Sequence, residues 1–330
     1  MSGRKVVVTG AAGFIGRCLV EEILGRGDRV VAVLRRGGTR LPPELEKRVE
    51  VMEADLAQEA PDPARWRSAE TIFHLAGFYQ PGCTKELFAK LWRLNVDATR
   101  HVVEAARQAG VRRFIHFSSV AVCEESDHQV VNEEAGTPSS AYGFSKRESE
   151  RIFYTGETGS MAWTIFRPVA VFGEGRSGPI WQIADRVRRG RFAIFGDGTN
   201  RMSFIHRGDL VAAVLFAERI EATHGKIYIL ADEPVRLAAL VDLVCSVFAS
   251  CRRPPCFPLW LGQSVAALGS IIEDLTGWRM PLNAERFRTL VRDRVYSGER
   301  FLRETGFKFS TGIQERIGNR IFAMKRRETP

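Results

Sequence analysis

The chain has 330 residues, 45% hydrophobic and 26% charged, with a formal net charge of +9. This balance excludes a disordered chain, and the length suffices for a large α/β domain carrying a smaller unit. No apolar run is long enough to span a membrane, and the opening residues lack a signal-peptide pattern, so a cytoplasmic protein is expected.

Through the first half, short apolar runs alternate with helical stretches. Strands are expected at Lys5–Thr9, Arg29–Leu34, Val49–Glu53, Thr71–Leu75, Arg113–Phe117 and Ala162–Phe166. Each is apolar throughout, the pattern of strands buried on both faces of a parallel sheet. Helices fit between them at Gly13–Arg26, closed by Gly25 or Gly27, and at Leu91–Ala109, closed by Gly110. After Pro168, glycine-rich loops at 173–178 and 196–201 flank a helix near Ile180–Arg189. A helix and strand follow at Asp209–Arg219 and Lys226–Leu230, and the remainder reads as mostly helical. Thr311 with Gln314 makes a capping box for the last helix.

The first strand runs into Thr9-Gly10-Ala11-Ala12-Gly13-Phe14-Ile15-Gly16 and then a helix. Such a turn lets backbone approach a pyrophosphate, whose charge suits the free N–H groups and dipole of a helix N-terminus. An acidic residue closing the second strand would bind a ribose 2′-hydroxyl. The chain instead has Arg35-Arg36-Gly37-Gly38, which suits a 2′-phosphate. NADP(H) is therefore the favoured cofactor and NAD(H) the alternative. Asp55-Leu56, past the third strand, could meet the adenine amino group or simply open a loop.

Two further segments carry chemistry. The fifth strand ends in Ser118-Ser119, and Tyr142-Gly143-Phe144-Ser145-Lys146 opens a helix with a tyrosine and a lysine on one face. A nearby ammonium is expected to lower the phenol's pKa toward neutrality, while a hydroxyl holds the substrate oxygen.

Taken in order, the glycine motif, His74-Leu75-Ala76-Gly77, Asn95, Ser118-Ser119, Tyr142-x-x-x-Lys146 and Arg167-Pro168 resemble the extended short-chain dehydrogenase/reductases. That superfamily includes epimerase/dehydratase, dihydroflavonol reductase-like and 3β-hydroxysteroid dehydrogenase-like enzymes. The resemblance covers nearly the whole chain. It implies an α/β fold, a Rossmann-type doubly wound parallel sheet with a smaller, mostly helical substrate cap. The cofactor domain would take residues 1–173 and 204–233, and the cap 174–203 and 234–330. It implies Tyr142 as acid/base, with Lys146 tuning it and binding the nicotinamide ribose. Ser119 would polarise the substrate oxygen, and Asn95 would set the geometry. The cofactor would lie along Gly10, Ala12, Gly13, Phe14, Ile15, Gly16, Arg35, Arg36, Asp55, Leu56, Leu75, Ala76, Gly77, Ser118, Tyr142, Lys146 and Pro168.

Two departures bear on the substrate. Ala170 stands where nucleotide-sugar enzymes of this group carry an asparagine, and Val120-Ala121 stands where sugar dehydratases carry an acidic pair. Both point to simple alcohol/ketone redox chemistry. Candidate substrate residues are Phe78, Tyr79, Val120, Phe172, Trp181, Arg201 and His206, an aromatic set that favours a small lipophilic molecule. A transient-oxidation epimerase is the second reading, and a non-catalytic NADP(H)-binding subunit or sensor the third.

In Pro258–Leu275, Leu261, Val265, Leu268, Ile272 and Leu275 recur at helical spacing beside Trp260. A core-packing face is the expected explanation, with a substrate lid or a membrane-surface helix as alternatives. The basic stretch Lys325-Arg326-Arg327 reads as a solvated surface, and no nucleic-acid motif accompanies it. The expected partner is a small-molecule substrate, with homodimerisation and peripheral membrane contact left open. Six cysteines at 18, 83, 123, 245, 251 and 256 form no CxxC pair, so no metal site is expected. A Cys251–Cys256 disulfide is a minor alternative to free thiols.

Overall fold

The computed structural model describes residues 3–82, 84–124, 130–174, 178–248, 251–278, 280 and 282–326. Cys83, Arg327 and residues 175–177 of the first glycine-rich loop lie outside the described residues. In chain order the main elements are β1 (Lys5–Thr9), α1 (Phe14–Gly25), β2 (Arg29–Leu34), β3 (Glu50–Glu53), β4 (Ala69–His74), α2 (Lys85–Trp92) and α3 (Ala98–Gln108). Next come β5 (Arg113–Phe117), α4 (Ala141–Tyr154), β6 (Ala162–Pro168), β7 (Ala170–Phe172), α5 (Pro179–Arg188), β8 (Phe204–His206), α6 (Arg207–Ala217) and β9 (Lys226–Leu230). Helices dominate the rest: α7 (Leu237–Val247), α8 (Leu259–Thr276), α9 (Ala284–Val291), α10 (Glu299–Thr305) and α11 (Ile313–Arg326).

The chain divides into two compact units. The first comprises residues 1–169, 207–230 and 297–308; the second comprises 170–206, 231–296 and 309–330. The division differs from the expected one chiefly at 297–308, the α10 segment, which belongs to the first unit. Phe301 explains why: it is fully buried and meets Phe166 and Tyr228 edge-on, with ring centroids 6.0 and 5.5 Å apart.

The first unit is built on a seven-stranded sheet in the order β9-β6-β5-β4-β1-β2-β3, every pairing parallel. Helices on its faces bury the apolar strands, giving a Rossmann-like α/β fold. Trp66, Ile72, Phe114, Val102 and Phe153 belong to the core packed on one face. Reversal of strand order between β1 and β4 opens a crevice at their C-terminal ends, where such sheets bind ligands.

Leu91–Ala109, expected as one helix, is instead α2, a π-turn over Arg93–Asp97, and α3. The wider turn carries the buried Asn95. Nearby, the Arg167 guanidinium grips the Glu150 carboxylate at 2.9 and 2.7 Å, tying β6 to α4. Both are buried, and this bidentate geometry compensates their desolvation.

The second unit packs α5, α7 and α11 around Ile180, Val187, Leu240, Val244, Ile317 and Ile321. α8 departs from expectation: Val265, Leu268, Ile272 and Leu275 are exposed, and the helix turns its small residues inward instead. A Cβ at Gly262 would lie 2.2 Å from the Phe287 ring, and one at Gly269 2.0 Å from the Leu282 carbonyl. Only a helix face without side chains can approach α9 and its leading loop so closely. The five described cysteines are free, and Cys251 Sγ lies 2.9 Å from Cys245 Sγ rather than beside Cys256.

Candidate active site

The glycines of the first βα-turn are demanded by geometry. Gly10 has φ +68°, and a Cβ there would lie 2.7 Å from Ala76 N. At Gly16 a Cβ would strike the Gly10 carbonyl at 2.2 Å. The Gly13 amide donates to that same carbonyl at 2.9 Å, closing the turn just before α1 begins at Phe14. Phe14 and Ile15 thus supply first-turn N–H groups that lack helical acceptors.

Above this turn lies a cavity of about 300 Å³. Its walls include Gly10, Ala12, Gly13, Arg35, Asp55, Leu56, Leu75, Ala76, Gly77 and Phe78. Val33, Leu34, Thr39, Ala54, Ala57, Leu94 and Ala98 also line it and were missed in the sequence, because strand ends and helix faces offer no motif. The two arginines part company here. Arg35 lines the cavity, whereas Arg36 is exposed beside it in sequence and contacts Glu59 at 3.4 Å. Asp55 lines the wall while its carboxylate accepts from Ala57 N at 3.1 Å and Gln58 Nε2 at 2.7 Å, so it also orders its own loop.

A dinucleotide fits this cradle on two observations. The glycine floor leaves backbone alone against the cavity, and the buried Ser118 Oγ has no hydrogen-bond partner among the described residues. Pro168 is buried at the end of β6 and lies outside the cavity.

The chemistry-bearing side chains meet beside it. Ser119 caps the short 3₁₀ turn Val120–Cys123, its Oγ accepting from Ala121 N at 3.2 Å. Ser140 caps α4, accepting from Gly143 N at 3.1 Å while donating to Glu124 Oε2 at 3.0 Å. These caps fix the two ends, and Gly143 lets them touch: a Cβ there would lie 2.2 Å from the Ala121 carbonyl. The result brings the Ser119 hydroxyl and the Tyr142 phenol within each other's influence. Tyr79 stands edge-on to Tyr142, with centroids 4.9 Å apart.

Asn95 is a clamp. Its Oδ1 accepts from Phe78 N at 2.7 Å, and its Nδ2 donates to Phe78 O at 3.0 Å and Ser145 Oγ at 2.8 Å. Lys146 Nζ donates to Phe117 O at 2.7 Å, and a Cβ at Gly77 would lie 4.0 Å from that nitrogen. Beneath it His74 and His116 stack at 5.4 Å. Burial, helped by the Lys146 charge, holds His74 down at about 3 and His116 well below its usual range, so both are neutral.

Burial lowers the Lys146 ammonium to about 8. Burial also pushes the Tyr142 phenol up to about 12, against the influence of Ser119, which lowers it. This corrects the expectation of a depressed phenol. The lysine is engaged by a backbone carbonyl, and desolvation dominates the tyrosine.

The remaining substrate candidates divide between the units. Phe78 has Lys90 Nζ 4.4 Å from its ring centroid, and Val120 opens the 3₁₀ turn after Ser119. In the second unit Phe172 is only 1% exposed, packed edge-on to Phe204 and His206, so it offers no surface to a substrate. Arg201 is committed to Asp293 at 2.9 Å. Trp181 is covered by Arg320, 5.3 Å from its centroid, and His206 lies 3.7 Å from Glu174.

Residues 6–231 match the model of the NAD dependent epimerase/dehydratase family, and the chain belongs to that family. It is 27% identical over 233 residues to the N-acetyl-alpha-D-glucosaminyl-diphospho-ditrans,octacis-undecaprenol 4-epimerase of Escherichia coli O157:H7, covering 70% of this chain and 68% of that protein. It is 25% identical to the 3beta-hydroxysteroid-dehydrogenase/decarboxylase isoform 1 of Arabidopsis thaliana, over 96% of this chain and 79% of that one. Among solved structures it is similar to MoeE5 in complex with UDP-glucuronic acid and NAD, with a TM-score of 0.73, 26% identity and coverage of 98% and 99%. The protein is an NAD(P)-dependent enzyme acting on CH–OH or keto groups.

Because the Lys146 ammonium borders the cleft at Gly77 and titrates near 8, its charge is present below that pH and lost above it. The kcat/KM measured for the cofactor should stay level below pH 8 and fall about tenfold per unit above it. Lys146→Met should remove the break.

Proposed function

We propose that this enzyme is an NADP(H)-dependent ketoreductase or 3β-hydroxysteroid dehydrogenase-like oxidoreductase acting on a small lipophilic substrate. The observation that carries the reading is the close approach of Gly143 to the Ala121 carbonyl, which sets Tyr142 and Ser119 together near the cleft wall at Gly77. NADP(H) is favoured because Arg35 lines the cavity and no carboxylate follows β2 to repel a 2′-phosphate. A lipophilic substrate is supported by the exposed Tyr79 ring edge-on to the phenol and by Phe78 in the cavity wall. It is supported also by the relatives, whose names specify an undecaprenol-linked sugar and a 3β-hydroxysteroid.

When bound, the nicotinamide supplies or accepts the hydride at the substrate carbon. Ser119 holds the substrate oxygen by a hydrogen bond, and Tyr142 exchanges a proton with it at the phenol oxygen. A phenol held near 12 is fully protonated at neutral pH, the state in which it can give a proton to a carbonyl oxygen. The Lys146 ammonium, which borders the cleft at Gly77, would hold the nicotinamide ribose. Asn95 does not touch the reacting atoms; it positions Phe78 and α4. The epimerase among the relatives favours a second reading, transient oxidation followed by re-reduction, which would consume no net NADPH.

Two measurements test this proposal. Tyr142→Phe should lower ketone-dependent NADPH consumption about 10²–10⁴-fold while NADPH binding, read by fluorescence titration, is unchanged. Full turnover in that variant, or wild-type turnover without net NADPH loss, would overturn it. Arg35→Asp should shift the NADPH-to-NADH preference by at least about tenfold toward NADH, since it replaces a charge-assisted hydrogen bond with repulsion.

A further inference from the structure

Helix α8 presents an unusual surface. Its 18 residues make a rod about 27 Å long. Trp260, Val265, Leu268, Ile271, Ile272 and Leu275 are all exposed, Leu268 by 60% and Leu275 by 80%. With the half-buried Leu261 they fill roughly 140° of the helix circumference, and no charged residue interrupts the arc. The one polar residue within it, Ser264, turns its hydroxyl onto the Trp260 carbonyl at 3.0 Å. Trp278, 77% exposed, stands just past the helix end, so an indole sits near each extremity.

The inner side of the helix is fully engaged. Gly262 and Gly269 abut Phe287 and Leu282. Ser270 Oγ accepts from Ala284 N at 3.0 Å, and Glu273 accepts from Met280 N and Asn283 Nδ2, both at 2.6 Å. A rigidly seated helix therefore holds its large apolar side chains outward. A contiguous exposed face of this size marks a docking surface rather than a packing error.

Charge indicates the occupant. Residues 251–294, which contain α8 and its flanks, carry seven arginines against four acidic residues. The side chains of Arg252, Arg288 and Arg292 are exposed. An isologous contact with a second copy would bring this positively charged segment against itself, whereas an anionic lipid surface would complement its charge. Indoles settle at the headgroup level of a bilayer. No described helix is long and apolar enough to cross a membrane, so the geometry is that of a helix lying along the interface.

We propose that the outer face of α8 docks this enzyme onto an anionic phospholipid bilayer. The proposal is independent of the redox reading, and Tyr142→Phe should bind vesicles as the wild type does. The test is co-sedimentation of the full-length protein with phosphatidylcholine vesicles, with and without phosphatidylglycerol. The protein should pellet with the anionic vesicles, and added salt should weaken the binding. The triple variant Trp260→Ser, Leu268→Ser, Leu275→Ser should lose at least about tenfold in partitioning. Its thermal melt and NADPH binding should be unchanged, because all three side chains are already in water. Absence of partitioning, or equal partitioning of wild type and variant, would overturn the proposal. So would a concentration-dependent dimer abolished by the triple substitution, which would assign the face to a second copy.

Discussion

The site depends on one close approach, that of α4 to the short turn after β5. Gly143 has no side chain, and the Ala121 carbonyl occupies the space where a Cβ would sit, 2.2 Å from that position. Ser119 caps one partner of this contact and Ser140 the other, so each backbone end is fixed before they meet. A phenol one residue before the glycine is thereby brought onto a hydroxyl two residues before the alanine. Neither residue alone has useful chemistry; the contact between their backbones creates it.

Beneath that contact lies a buried polar floor. Asn95 secures the Phe78 backbone and Ser145, Lys146 rests on the Phe117 carbonyl, and His116 reaches Ser149 at 3.1 Å. Two neutral histidines at this depth support an ammonium without adding a second charge. Desolvation explains both titration shifts: it weakens the proton on the lysine and strengthens the proton on the tyrosine. In this protein a single physical cause moves the two partners in opposite directions.

Sequence periodicity and spacing made much of this legible. The strands and the glycine turn follow from apolar runs and from steric demands that only glycine meets, whereas the tyrosine, lysine and serine were read from their spacing and from the family resemblance. Other features were invisible for definite reasons. The π-turn holding Asn95 breaks the 3.6-residue period on which a helix reading relies. Composition alone could not tell that Arg35 lines the cavity while Arg36 meets Glu59. Phe172 is as aromatic as any pocket residue but is buried in the core of its own unit. On α8, periodicity revealed an apolar face, but only the glycines opposite it, pressed against Phe287 and Leu282, tell which side packs.

The central claim is that the spacing between α4 and the turn after β5 sets the reactive pair. Its most direct measurement is the turnover of Gly143→Ala, read alongside NADPH binding as proof of a folded cofactor domain. The added methyl must push α4 from the Ala121 carbonyl and separate the phenol from the hydroxyl. The account predicts that NADPH still binds while turnover falls about 10²-fold. Wild-type turnover in that variant would contradict it.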